Sequence, residues 1–195
     1  MDSKLFLEYL PWLREPAYRL ELDGLSSGDY AKRVEKITTP KLRSAAIQLP
    51  GVPIELQKLY FNHDLHNIEL LSTFFWSEPK RLEQGWGFAD MSEVNIVVAP
   101  SGQIEAYNAH PIRGMPGATD CLGLLAKDLE SYLEALFCGQ LNKTHFIHGF
   151  PDEDPILFQK TVLVAKHCSL IAGGYEYYDF WAGLLGLPPT DTVPE

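Results

Sequence analysis

Two pairs among the six histidines, His63/His66 and His145/His148, stand at HxxH spacing. On a helix such a pair would turn both imidazoles to one side. Both pairs together, or one pair with a carboxylate such as Asp64 or Glu69, could then hold a metal. Neither pair encloses a general-base glutamate, the second encloses only Phe146 and Ile147, and both stretches read as loop-flanked. In that context the pattern predicts no metal site and no cofactor. A metal-dependent hydrolase built on these pairs is kept as the alternative reading.

Other reactive residues lead to the same expectation. His167 and Cys168 are adjacent, so on a helix they point roughly a hundred degrees apart and do not pair. Cys168 falls on an apolar stripe with Val164 and Ile171, the pattern of a buried, inert thiol. Ser101-Gly102 lacks the strand-to-helix step of a nucleophile elbow. "GMPGATDCLG" has glycines but neither GxGxxG spacing nor a phosphate-binding lysine. Carboxylates abound, yet no spacing separates an acid from a base. The chain is therefore expected not to be an enzyme.

Aromatic residues offer recognition instead of catalysis. Trp76, Trp86 and Trp181, with Phe74, Phe75 and Phe88, could line a groove, although aromatics at strand positions more often fill a core. Trp86 is expected to be the exposed one, because Gly85 and Gly87 flank it in "QGWGFAD".

The elements that must position these residues change character along the chain. "DSKLFLEYL" reads as a helix that stops at Pro11, and "SSGDYAKRVEKI" as another. "TTPKLRSAAIQL" offers Thr39 as cap and Pro40 at the first helical position, and "GVPIELQKLYF" repeats the device with Pro53. Short aromatic and β-branched runs follow at 67–76 and 85–90, then a hairpin, Asn95–Ala99 and Gln103–Asn108 around Pro100-Ser101-Gly102. In its second arm Ile104 and Ala106 oppose Glu105 and Tyr107, so that one side can face water.

"HPIRGMPGATDC" reads as a loop. "LLAKDLESYLEALFCG" reads as a helix, with a stripe of Leu125, Leu129, Tyr132, Leu133 and Leu136 and a stop at Gly139. A second helix starts at Asp154 and Pro155, with Asp152 and Glu153 at its positive end, and "YEYYDFWAGLLG" forms a third after Gly173-Gly174. Helices first, strands in the middle and helices last predict an α+β fold. A central, mostly antiparallel sheet forms one domain over 1–195, with a helical lead at 1–47, a core at 48–138 and a helical extension at 139–195.

The chain has 195 residues, 46% hydrophobic and 22% charged, enough to bury a sizeable core. Its net charge of −10 argues against nucleic acid and anionic membranes as partners. Residues 1–50 are near balance, with 8 basic and 7 acidic side chains, whereas 51–195 carry 8 basic and 19 acidic ones. Such a surface speeds encounter with a basic protein. Cys121, Cys138 and Cys168 lack CxxC spacing, and Lys4, Glu8 and Pro11 interrupt any signal-like start. Reduced thiols and a cytoplasmic location are the expectation.

The middle of the chain resembles the SUKH superfamily, whose members are related to a yeast cell-wall-synthesis regulator. The resemblance lies in "LPGVPIELQKLYF", the strand pair around "WGFAD", the hairpin "NIVVAPSGQIEAY" and the closing helix "LAKDLESYLEAL", where Ala126 to Leu133 match that family's last element. It covers roughly residues 48–138; the lead at 1–47 and the extension at 139–195 depart from the family's usual form. It implies an immunity protein that binds and neutralises a cognate bacterial toxin, often a nuclease, with no catalytic residues to carry over. The partner is then a protein with a basic surface. Trp86, Asp90, Glu93, Glu105 and Tyr107, around the strands, are the expected partner-binding residues. A regulatory subunit that recruits another protein is the remaining alternative.

Overall fold

The computed structural model describes residues 1–13, 39–109, 121–145, 151 and 153–188. Helix α1 (Ser3–Tyr9) is capped by Asp2, whose carboxylate accepts the Leu5 N–H at 2.9 Å, and runs into a 3-10 turn at Leu10–Leu13. Two short strands, β1 (Lys41–Leu42) and β2 (His63–Asp64), pair on either side of α2 (Ile54–Tyr60). A six-stranded antiparallel sheet follows in simple sequence order: β3 (Glu69–Leu70), β4 (Thr73–Arg81), β5 (Trp86–Met91), β6 (Val94–Val98), β7 (Ile104–Asn108) and β8 (Cys121–Ala126). The chain closes with α3 (Leu129–His145), α4 (Pro155–Ala172), a 3-10 turn at Tyr175–Tyr177 and α5 (Tyr178–Leu184). The fold is α+β, with helices before and after the sheet in sequence.

One face of the sheet carries the core. Phe75, Phe88, Ile96, Val98, Ile104 and Ala106 point toward the helices, and α3 answers with Leu129, Tyr132, Leu133 and Leu136. Aromatic rings link the layers: Phe6 lies 5.9 Å from Phe75, Phe75 6.1 Å from Phe88, Phe88 6.0 Å edge-on to Tyr132, and Tyr132 5.9 Å from Trp181. Their polar handles are satisfied inside. Tyr60 Oη donates to the Phe88 carbonyl at 2.7 Å and Trp181 Nε1 to the Leu125 carbonyl at 3.2 Å. These bonds matter because an unpaired buried donor costs more than a made bond contributes.

Several expected elements differ from the observed ones, each for a local reason. The helix expected from Thr39 and Pro40 is absent: Lys41 and Leu42 pair with Asp64 and His63 instead, and Leu42 is 78% exposed. The strand expected at 67–76 is a hairpin that turns at Leu71 and Ser72, both at positive φ (46° and 62°). α3 holds that unusual turn, since Gln140 Oε1 accepts the Leu71 N–H at 2.7 Å.

Leu125 belongs to β8, not to α3. The helix begins only after Asp128, whose carboxylate accepts the Ser131 N–H at 2.7 Å. Gly139 does not end the helix either. It lies mid-helix where a Cβ would stand 2.7 Å from Leu71 Cδ1, so its role is close packing. By contrast α4 starts as expected, with Asp154 accepting from Ile156 N at 2.8 Å and Pro155 at its first position, and ends at Gly173. The helix expected at 26–37, most of the loop expected at 110–121, and residues Asp152 and His148 lie outside the described residues.

Candidate functional site

The strand register decides which candidate residues can act together. Phe74 pairs with Asp90, Asp90 with Asn95, Asn95 with Tyr107 and Tyr107 with Cys121, all on the face turned away from the core. A second row runs Gly87, Val97, Glu105, Leu124. All side chains of these rows are exposed or half-buried except Val97.

Polar contacts organise this outer face. Trp76 Nε1 donates to Asp90 Oδ2 at 2.6 Å, while Lys80 Nζ sits 5.4 Å from the centre of the Trp76 ring. The hydroxyl of Tyr107 donates to Glu105. Burial raises the Tyr107 phenol well above its ordinary value, and the Glu105 carboxylate adds to the effect. Three of the expected residues, Asp90, Glu105 and Tyr107, thus share one surface, with Glu93 exposed in the adjoining turn between β5 and β6. Phe74, 42% exposed, and Trp76 complete the surface, although sequence reasoning treated both as more often core. Their signal was the alternation of β4: Thr73 and Phe75 are buried, Phe74 and Trp76 are not.

Trp86 lies elsewhere. It pairs with Val98, whose side chain is in the core, and so faces the helix side of the sheet. There it lines a cleft of about 670 Å³ between the starts of α2 and α3 and the β6–β7 turn, with Glu55, Asp128 and Glu130 around it. Arg81 places its guanidinium 5.7 Å from the Trp86 ring centre. The flanking glycines do not free the ring. A Cβ on Gly85 would meet the Val98 carbonyl oxygen at 2.2 Å, and one on Gly87 would meet Trp76 and Leu82 at 2.7 Å. Both glycines allow close approach, and Trp86 is half-buried.

The pair His63 and His66 is not on a helix that could converge it, and His148 of the second pair lies outside the described residues. His63 is in β2 and His66 just beyond it, where its Nδ1 lies 2.9 Å from Asp64 Oδ1. Burial, reinforced by Arg43, lowers the His63 pKa. Burial alone would raise Asp64, but hydrogen bonds from His66 and Ser77, with the charge of His66, together outweigh it and hold the carboxyl below its ordinary value. His145 ends α3. Among the described residues no three of His, Cys, Asp and Glu gather closely enough to hold a metal ion.

No described helix is long and apolar enough to cross a membrane. No family model matches the chain, and neither a curated protein nor a solved structure matches it.

Proposed function

We propose that the chain is a non-catalytic protein-binding module of the immunity type, which captures a bacterial toxin with a basic surface through the outer face of its sheet, in the cytoplasm. The observation that carries this reading is the pairing of aromatic side chains with carboxylates across that face. Phe74, Trp76 and Tyr107 supply apolar contact area, and Asp90 and Glu105 supply negative charge beside them. Aromatic anchors ringed by polar residues are the pattern of binding hot spots. The acidic excess after residue 50 and the SUKH resemblance point the same way. The hydrolase alternative finds no ligand cluster among the described residues.

The test is capture of a toxin encoded beside this chain, followed at two ionic strengths. Tyr107→Ala or Phe74→Ala should raise the dissociation rate, at a cost of about 2 kcal/mol or more. Asp90→Asn, Glu93→Gln and Glu105→Gln should slow association by about a few-fold each, and less at high salt. Binding that leaves the toxin fully active would favour the recruiting subunit. If the outer-face variants bind normally while Trp86→Ala does not, the contact is the cleft on the other side.

A further inference from the structure

Helix α4 (Pro155–Ala172) buries one side and leaves the other open. Leu157, Thr161, Ala165, Cys168 and Ala172 recur at helical spacing and are buried. Val162, Val164 and Ile171 flank that stripe and rest against the core as well. Ile156, Leu163 and Leu170 take no part in it. They stand seven residues apart, so all three fall in one row on the opposite side, where they are 66%, 67% and 52% exposed. A single exposed leucine is ordinary. Three apolar residues in register, along about 21 Å of helix at 1.5 Å per residue, form a seam.

Basic side chains border this seam. Lys160 and His167 lie on one flank, Gln159 and Lys166 on the other, and all four are exposed. α4 contains no aspartate or glutamate, in a chain whose net charge is −10. Among the described residues neither lysine has an ion-pair partner. The complement of such a seam is an apolar row edged with carboxylates, and a seven-residue repeat is the spacing at which one helix meets another. A second copy of α4 is a poor complement. Antiparallel pairing about Leu163, which matches all three apolar residues, brings Lys160 of each copy beside Lys166 of the other. Parallel pairing sets each lysine beside its own counterpart. A lipid surface suits the seam no better, because the apolar row is one residue wide and the molecule around it is acidic.

We propose that the open side of α4 docks an acidic amphipathic helix of another protein. The apolar row of that helix lies against Ile156, Leu163 and Leu170, and its carboxylates lie beside Lys160 and Lys166. The apolar residues supply the contact area, while the lysines select the partner and fix its register. This surface is separate from the outer face of the sheet and carries the opposite sign of charge. The inference therefore stands apart from the immunity reading, since a basic toxin would be repelled here.

The probe is a labelled synthetic peptide about four heptads long, with leucine along one row and glutamate on both flanks. Its control carries lysine in place of every glutamate. Fluorescence anisotropy of each peptide is followed as the full chain is added at physiological salt. The glutamate peptide should saturate and bind about tenfold or more tighter than the lysine peptide. The overall charge of the chain works against that preference, so a preference for glutamate must arise locally. Leu163→Ser, at an exposed position outside the core, should abolish saturation. Lys160→Glu combined with Lys166→Glu should invert the preference between the two peptides. The proposal is overturned if the glutamate peptide does not saturate, if the lysine peptide binds as tightly, or if the double reversal leaves the preference unchanged. Sedimentation of the chain alone and flotation with phosphatidylcholine–phosphatidylserine vesicles test the other occupants. A dimer that Leu163→Ser splits overturns the proposal in favour of a second copy, and vesicle binding lost in Leu163→Ser overturns it in favour of a lipid surface.

Discussion

Phe74 and Phe75 are neighbours on one strand, yet 42% of the first and 2% of the second reaches solvent. The two faces of the sheet share their strands and differ in what lies against them. On the inner face each ring meets another ring or a helix side chain, and the polar atoms find partners in the interior. On the outer face the rings lie beside carboxylates and a lysine, and Trp76 and Tyr107 spend their polar ends on Asp90 and Glu105. Aromatic content alone does not distinguish a core from an interface; the chemistry of the cross-strand neighbour does.

The widest gap between the faces should appear in stability. Phe88→Ala removes a fully buried ring from the centre of the aromatic chain and should cost about 3–5 kcal/mol. Phe74→Ala should stay within about 1 kcal/mol, since much of that ring already faces water. Urea unfolding of both variants makes the comparison. An equal cost would mean that the outer face is packed as core, and would remove the surface on which the binding proposal rests.

Next in size is the bond that orders the outer face. Asp90→Ala leaves Trp76 Nε1 without its acceptor and should cost about 1–2 kcal/mol. Asp90→Asn keeps a side-chain oxygen for the indole and should recover most of that loss. Indole fluorescence during the same unfolding reports whether Trp76 has moved. An Asn variant as weak as the Ala variant would show that the carboxylate's charge holds the ring, and not the hydrogen bond.

Local rules carried the reading of the sequence where neighbours in the chain also met in the fold. The β6–β7 hairpin pairs Val98 with Ile104, and the Asp154-Pro155 start of α4 was visible because cap and helix are adjacent. The α+β class followed from the order of these elements. Long-range packing set the rest. Nothing near Leu71 and Ser72 signals a tight turn, because Gln140 on α3 stabilises it. The "CLGLL" run fits a helix stripe or a buried strand equally well, and only its pairing with β7 settles it as β8. Of the candidate site, Glu105 and Tyr107 could be read from alternation alone. Trp86 could not, because a glycine beside an aromatic can free the ring or admit a neighbouring strand, and here Gly85 admits β6.

A smaller effect should follow acidification, at the β1–β2 corner and not on either sheet face. The folded pKa of His63 lies below the ordinary 6.5, so the unfolded chain takes up a proton there first. Stability is full above that value and falls as pH drops from it toward the folded one. Asp64 is held below its ordinary 3.8, so its contribution is full above that value and is lost as pH falls through the folded one. The losses should come in that order, as two steps in the unfolding midpoint against pH. His63→Gln should remove the upper step and Asp64→Asn the lower. Persistence of both steps in both variants would place the acid sensitivity elsewhere.

The smallest change in stability should come from Tyr107, and it sharpens the contrast between the faces most directly. Tyr107→Phe removes only a hydroxyl on the outer face and should cost within about 0.5 kcal/mol. Its titration is the more telling measurement. Burial raises the Tyr107 phenol first, and the Glu105 carboxylate that accepts its proton raises it further. A raised folded value means that this contribution to stability is present below the ordinary tyrosine value of 10.0 and is lost as pH rises through the folded one. Glu105→Gln should therefore bring the phenolate absorbance of Tyr107 to lower pH without restoring the ordinary value, since burial is unchanged. The difference spectrum against Tyr107→Phe isolates the residue. A full return to the ordinary value would show that the phenol is essentially solvated and that its shift came from charge alone. No change would show the opposite, a ring sealed by its neighbours and so unavailable to a partner. Only the partial shift fits a ring half-covered by its own sheet, with its remaining surface open for contact.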